Sequence, residues 1–79
     1  MPFYFFLWPD QNIQHLVDHA ITPEEFEEVV CDPDRIARSR TSGLPIALGR
    51  TSSGRELVCV YKVLDDGTIY PVTAYEPDN

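Results

Sequence analysis

The sequence predicts one small α+β domain, in which two N-terminal helices pack on one face of an antiparallel sheet in the order β-α-α-β-β-β-β. Three observations predict this fold class. An aromatic run opens the chain, two segments with helical spacing of apolar residues follow, and short apolar runs then alternate with turn residues from residue 35 onward. The 79 residues are enough for one domain, so residues 1–79 are expected to fold as a single unit.

The first strand is predicted at residues 2–8, which are almost entirely aromatic and aliphatic. Pro9 ends this strand, and Asp10 is the expected N-cap of the first helix. The apolar residues of that helix fall at i, i+3, i+4 and i+7, which predicts one buried face formed by Ile13, Leu16, Val17 and Ala20.

The second helix has the most specific local signal in the chain. Thr22 is expected to cap it, Pro23 suits the first helical position, and Glu25 can complete a capping box. Ile21 and Phe26 have the spacing of a hydrophobic staple across this start. The helix is expected to end at Cys31-Asp32-Pro33, with its buried face formed by Phe26, Val29 and Val30.

Four more strands are predicted, at residues 35–39, 46–51, 56–64 and 68–75. Hairpin turns are expected at residues 52–54 and 65–67, where serine, aspartate and glycine cluster. The strand over residues 56–64 has apolar side chains on both faces, which predicts an interior position. Pro71 cannot donate a backbone hydrogen bond, so it predicts a sheet edge or a bulge in the last strand.

Charge is distributed unevenly along this acidic chain, whose net charge is −7. Residues 1–34 contain eight acidic residues and no lysine or arginine, whereas residues 35–55 contain five arginines and no acidic residue. Such a chain repels nucleic acid at long range, but a local group of guanidinium groups can bind phosphate or carboxylate. Two interpretations stay open, a ligand-binding surface and the neutralisation of the acidic helices within the fold.

The cysteine content and the hydropathy pattern predict a cytoplasmic protein that does not enter a membrane. Cys31 and Cys59 are too few for a disulfide scaffold or a four-thiolate zinc site, and both thiols are expected to be free and buried. No apolar run approaches the ~20 residues of a membrane span. The first nine residues also lack the basic start and the cleavage site of a signal peptide.

Few residue patterns in the chain suggest a metal site or a known catalytic motif. His15 and His19 have the spacing of two metal ligands, but no glutamate follows the first histidine, so a surface His15 and a half-buried His19 are favoured. We therefore predict no metal and no cofactor. Arg50, Arg55 and Tyr75 remain, together with a histidine, as candidates for metal-free RNA cleavage, in which guanidinium stabilises the phosphate and imidazole or phenol transfers protons.

The pairing of the arginines within the fold is the alternative to this catalytic interpretation. Arg50 and Arg55 would then form ion pairs with Asp65, Asp66 or Glu56 near the hairpins.

Several short motifs occur in the order seen in one bacterial family. They are Leu7-Trp8 with Asp10, His19 followed by residues 22–30, Ala47-Leu48-Gly49-Arg50 with its hairpin, residues 57–61 and residues 69–74. On these motifs the chain resembles BrnT, the toxin of a type II toxin–antitoxin pair with a RelE-like ribonuclease fold. The resemblance implies metal-independent RNA cleavage and neutralisation by a cognate antitoxin, with His19 and Arg50 at family positions.

Three features depart from the family pattern. The family commonly has Lys-His-Gly where this chain has Asp18-His19-Ala20, it has arginine where Tyr75 stands, and its members are basic. The expected function is therefore a BrnT-like endoribonuclease with Arg50, His19 and Tyr75 as catalytic residues and Arg38, Arg40 and Arg55 as RNA-binding residues. The alternative is a catalytically silent member of the fold that binds a protein through the sheet. The sequence predicts neither how many subunits the protein has nor whether these subunits are identical or different.

Overall fold

A computed structural model describes residues 5–77 of the chain. Two helices precede a four-stranded antiparallel sheet whose strands lie in sequence order, which confirms the predicted α+β class. The elements are α1 (Asp10–Asp18), α2 (Pro23–Cys31), β1 (Arg35–Arg38), β2 (Pro45–Arg50), β3 (Glu56–Val63) and β4 (Ile69–Tyr75). The strand predicted to be interior, β3, lies between β2 and β4.

The described part of the predicted first strand contributes one bridge to the sheet. Phe6 pairs with Ile69 in parallel, and the amide of Leu7 donates to the carbonyl of Ile69 at 2.9 Å. The amide of Ile69 donates in turn to the carbonyl of Phe5 at 2.7 Å. Residues 2–4 of that prediction lie outside the described residues, so within residues 5–77 the segment extends the sheet beyond β4 by this bridge alone.

Helix α1 is shorter and less buried than the apolar spacing predicts. Its N-cap is Pro9, which offers no side-chain cap, and Asp10 is the first helical residue, so the prediction of Asp10 as N-cap is wrong. Leu16 is the only buried residue of the helix, and Val17 is 55% exposed. Ala20 lies beyond the helix end with φ 58°, because the chain must turn there to begin α2. The predicted four-residue buried face is therefore reduced mainly to Leu16.

Helix α2 forms as predicted. The amide of Glu25 donates to Thr22 Oγ1 at 3.1 Å and the amide of Thr22 donates to Glu25 Oε1 at 3.0 Å, which completes the capping box. The buried residues of the helix are Phe26, Val29 and Val30. The ring of Trp8 packs edge-on against Phe26, and its indole N–H donates a hydrogen bond to Glu27. These two contacts hold the segment before α1 against α2.

Both helices contribute to one core on one face of the sheet. The buried cluster combines Leu16 of α1 and Phe26 of α2 with sheet residues that share a face by register, including Ala47, Leu57, Cys59, Tyr61, Ile69 and Ala74. Gly49 allows the segment after α2 to approach β2 closely, since a Cβ there would lie 3.3 Å from the backbone nitrogen of Asp34. A β-bulge in the β3–β4 pairing lies next to the buried Pro71, as the absence of its N–H predicts.

The opposite side of the sheet contains Arg50 and Tyr75, two of the predicted catalytic residues. Successive side chains of a strand point to opposite faces, so the residues that precede and follow each core residue in sequence lie on this side. We call this side the open face. Val58 is buried within it, and Leu48 and Val60 are half-buried. The open face consists of Arg35, Ala37, Ile46, Leu48, Arg50, Glu56, Val58, Val60, Lys62, Tyr70, Thr73 and Tyr75.

Candidate functional site

Arg50 ends β2 with an exposed side chain on the open face. Its cross-strand neighbour is Glu56, yet within residues 5–77 the guanidinium of Arg50 makes no ion pair and no hydrogen bond. The alternative prediction, in which Arg50 pairs with Asp65, Asp66 or Glu56, is therefore not found in this part of the chain. A guanidinium without a carboxylate partner is available for an anion from outside.

Tyr75 lies on the same face, at the end of β4. It stands opposite Val58, which stands opposite Leu48, and Arg50 lies two residues beyond Leu48 on β2. The side chain is 43% exposed. Neighbouring strands are about 5 Å apart and two strand residues span about 6.6 Å, so the backbones of Tyr75 and Arg50 are separated by about 12 Å. Two of the three predicted catalytic residues thus share one exposed surface.

The third predicted catalytic residue, His19, lies at the border between α1 and β4. Helix α1 follows β4, since the Asn12 amide donates to the carbonyl of Pro71 and His15 Nε2 lies 2.9 Å from Thr73 Oγ1. The rings of His15 and His19 are 5.4 Å apart between centroids. Both histidines are exposed, so the prediction of a half-buried His19 is wrong, because His19 caps the C-terminus of α1 at the surface, beyond the buried Leu16.

Sequence reasoning missed the contact between His15 and Thr73. The i, i+4 spacing of the histidines was visible in the sequence, but it was considered only as a metal-ligand pattern. Thr73 lies 58 residues further along the chain, so no local pattern links it to His15. Because Thr73 belongs to the open face, this hydrogen bond shows that the histidine side of α1 adjoins the open face.

Arg55 occupies a structural position at the start of β3. Its Nη1 donates to the carbonyl of Ala20 at 2.6 Å and to Glu25 Oε1 at 3.3 Å, and its Nη2 donates to Glu76 Oε1 at 2.9 Å. The hydrogen bond with Glu76 raises the pKa of Arg55 and lowers the pKa of Glu76. The carbonyl of His19 accepts a longer bond from the same group, at 3.4 Å. The role of Arg55 in RNA binding stays a prediction, and its donors are largely engaged within the fold.

The other two predicted RNA-binding residues lie near the β1 end of the sheet. Arg38 alternates onto the side away from the open face and donates from Nη1 to the carbonyl of Gly43 at 2.8 Å. Arg40 is exposed in the loop between β1 and β2. Sequence reasoning did not single out Arg35, although register places it on the open face opposite Leu48.

The remaining candidates for metal binding or thiol chemistry do not add to this surface. Within the described ranges no group of three or more histidine, cysteine or acidic side chains is arranged to hold a metal ion. Cys59 is buried, which raises its pKa to about 12. Cys31 is exposed, so the prediction that both thiols are buried is wrong for it, because it ends α2 beyond the buried turn. Neither helix in residues 5–77 has the length and apolar character to cross a bilayer.

Comparison of the chain with protein-family models, with curated proteins and with solved structures gave no match. The resemblance to BrnT toxins therefore depends on the ordered sequence motifs. The functional hypothesis depends on those motifs together with the geometry of the open face.

Proposed function

We propose that this chain is a BrnT-like toxin domain that binds RNA on its open face and cleaves it without a metal ion. The observation that carries the proposal is the exposed guanidinium of Arg50, which has no internal partner among the described residues of a chain with net charge −7. With thirteen acidic residues available, pairing within the fold would be the expected use of an arginine. Its absence at Arg50 favours an external anion.

The open face suits an RNA strand for a second reason. Leu48 and Val58 form an apolar strip beside the exposed ring of Tyr75. Flexible RNA is recognised by stacking of its bases on aromatic side chains and by guanidinium contacts to its phosphates. Arg50 at one end of this strip and Tyr75 at the other support the binding of a short single-stranded segment across β3.

Cleavage would use the 2′-hydroxyl of the RNA as the nucleophile. Arg50 would stabilise the negative charge that develops on the pentacoordinate phosphate, through two parallel N–H donors. His19 or Tyr75 would transfer the protons. A cognate antitoxin would neutralise the activity by covering Arg50, and this part of the proposal follows from the family resemblance.

The test is cleavage of a short single-stranded RNA by the purified chain in the presence of EDTA. We expect cleavage that Arg50→Ala lowers by about 100-fold or more, since one donor to a developing oxyanion contributes about that factor. Lys62→Ala is the matched control, because it removes the same charge from the same face at the far end of β3, about 20 Å along the strand. A substrate with a single 2′-deoxy nucleotide at the cleaved position should resist cleavage.

The second candidate function is a catalytically silent domain that binds a protein through the open face. The observation that favours it is Tyr75, which stands where the family has arginine, beside the apolar strip of Leu48 and Val58. Under this hypothesis the purified chain cleaves no RNA and its expression leaves bacterial growth unimpaired. Cleavage abolished by Arg50→Ala would contradict it.

A further inference from the structure

We infer that His15 is a second proton-transfer residue of the open face, acting as general base, and that Thr73 is the residue that positions its ring. The inference rests on the proposed RNA cleavage and deepens it by assigning the proton transfers. His15 and His19 then perform the two proton transfers, and Tyr75 performs neither. The observation behind it is the 2.9 Å contact between His15 Nε2 and Thr73 Oγ1, at the edge of the surface that contains Arg50.

The path of α1 along β4 brings the two histidines to one edge of the open face. Asn12 donates a hydrogen bond to the carbonyl of Pro71, and His15 forms a hydrogen bond with Thr73, two residues further along β4. One further helical turn advances about 5.4 Å, and two further strand residues advance about 6.6 Å. His19 therefore reaches the level of Tyr75, and the two imidazoles lie side by side along the edge of the open face.

The spacing of the two rings suits an acid–base pair. Their centroids are 5.4 Å apart, and both side chains are exposed. The rings contact each other edge to face, so a phosphodiester that lies across their exposed edges can lose a proton to one ring and gain one from the other. A single histidine has to perform both transfers in sequence.

The reaction balances with two histidines and no other reagent. Neutral His15 removes the proton of the 2′-hydroxyl as O2′ forms a bond to phosphorus. The P–O5′ bond breaks, and protonated His19 gives its proton to O5′. The products are a 2′,3′-cyclic phosphate and a 5′-hydroxyl, and exchange with water restores both histidines.

Thr73 occupies one nitrogen of His15, since its Oγ1 lies 2.9 Å from Nε2. In the tautomer whose Nε2–H donates to Oγ1, Nδ1 is the nitrogen left to accept a proton. The same hydrogen bond holds the ring against β4. Thr73 thus acts through His15 and does not need to contact the RNA.

The surroundings of the pair contain few other ionisable groups. On α1 the carboxylate of Asp18 accepts from Gln14 at 3.2 Å. At the end of β4 lie Tyr75 and the ion pair of Glu76 with Arg55, whose Nη2 lies 3.4 Å from the carbonyl of His19. The test leaves Asp18, Tyr75, Glu76 and Arg55 unchanged, so that the variants alter the two histidines and Thr73 alone.

The test is the pH profile of RNA cleavage by the full chain, with the substrate in the single-turnover range. We expect a bell-shaped profile for the wild type. His15→Gln should lower the rate by about 100-fold and remove the acid limb, whereas His19→Gln should remove the alkaline limb. Thr73→Val should lower the rate by about 10-fold and shift the acid limb, and it should leave the RNA dissociation constant unchanged.

Controls separate this inference from the proposed function. Thr68→Val is the matched control for Thr73→Val, since it removes a hydroxyl just before the other end of β4. Circular dichroism of each variant checks that the fold is kept. If the wild type cleaves and Arg50→Ala abolishes cleavage, but His15→Gln keeps the rate and the full profile, the inference is overturned and the proposed function stands. A wild type that cleaves no RNA overturns both.

Discussion

The guanidinium of Arg55 lies 2.6 Å from the carbonyl oxygen of Ala20, although 35 positions separate the two residues in the chain. The same side chain forms ion pairs with Glu25 at 3.3 Å and with Glu76 at 2.9 Å. It therefore connects the turn between the helices, the start of α2 and the residues after β4 to the β2–β3 hairpin. This relationship assigns Arg55 to the stability of the fold, whereas Arg50 forms no ion pair within residues 5–77.

Replacement of Arg55 by alanine should destabilise the fold. The carbonyl of Ala20 would lose a charged donor, which contributes about 1–2 kcal/mol to the free energy of unfolding at a partly exposed position. Urea unfolding followed by circular dichroism measures the change. Arg40→Ala is the control, since Arg40 lies exposed in a loop, and its effect should stay within about 0.5 kcal/mol. Equal effects of the two substitutions would contradict the structural role of Arg55.

Ala20→Gly should stabilise the chain, because Ala20 holds a left-handed conformation with φ 58°. The amide of Ala20 donates to the carbonyl of Val17 at 2.9 Å and the amide of Ile21 donates to that of Leu16 at 2.9 Å, which is the Schellman arrangement that favours glycine. Relief of the Cβ strain outweighs the added chain entropy, for a net gain of about 0.5–1 kcal/mol. Thermal unfolding checks this.

Ala37→Gly is the matched control for this prediction, because Ala37 lies exposed in β1, which has no residue of positive φ. The same substitution should there lower the free energy of unfolding by about 0.5–1 kcal/mol. A loss of stability for both variants would show that the left-handed conformation of Ala20 is not strained.

The bond between Glu76 and Arg55 should make stability depend on pH. The hydrogen bond from Arg55 lowers the pKa of Glu76 in the folded state. The stabilisation is therefore fully present above the unfolded pKa of glutamate, about 4.3, and is lost as the pH falls through the lower folded value. Glu76→Gln should destabilise the chain at pH 6 and have little effect near pH 2. Unfolding curves at the two pH values measure the difference, and Asp65→Asn in the exposed hairpin should show no such change.

Much of the fold was predictable because its signals are local. Neighbouring residues alone determine the capping box of Thr22 and Glu25, and the same is true of the hairpins before Arg55 and before Ile69. The structure confirms all three features. Helix α1 was predicted less well. Its spacing indicated a wide apolar face, but the left-handed turn at Ala20 ends the helix early and leaves Val17 exposed.

The candidate site could be predicted only in part, because its geometry depends on contacts between distant segments. The exposed position of Arg50 at a strand end followed from the alternation of β2. The engagement of Arg55 depends on Ala20, Glu25 and Glu76, which come from three other parts of the chain. No spacing within the sequence distinguishes these two arginines, and only the packing of the helices on the sheet shows which guanidinium is paired.

The two cysteines should differ sharply in their reaction with an aromatic disulfide reagent. Cys59 is buried, which raises its pKa to about 12, so it should react only after unfolding. Cys31 is exposed, and partial desolvation and the charge of Glu27 raise its pKa. It should therefore react more slowly than the thiol of a free peptide, and its reaction should become faster as the pH rises. The native chain should therefore release one equivalent of chromophore at pH 8, and Cys31→Ser should abolish this release. Release of two equivalents from the native chain would show that the β3 core opens on the timescale of the reaction.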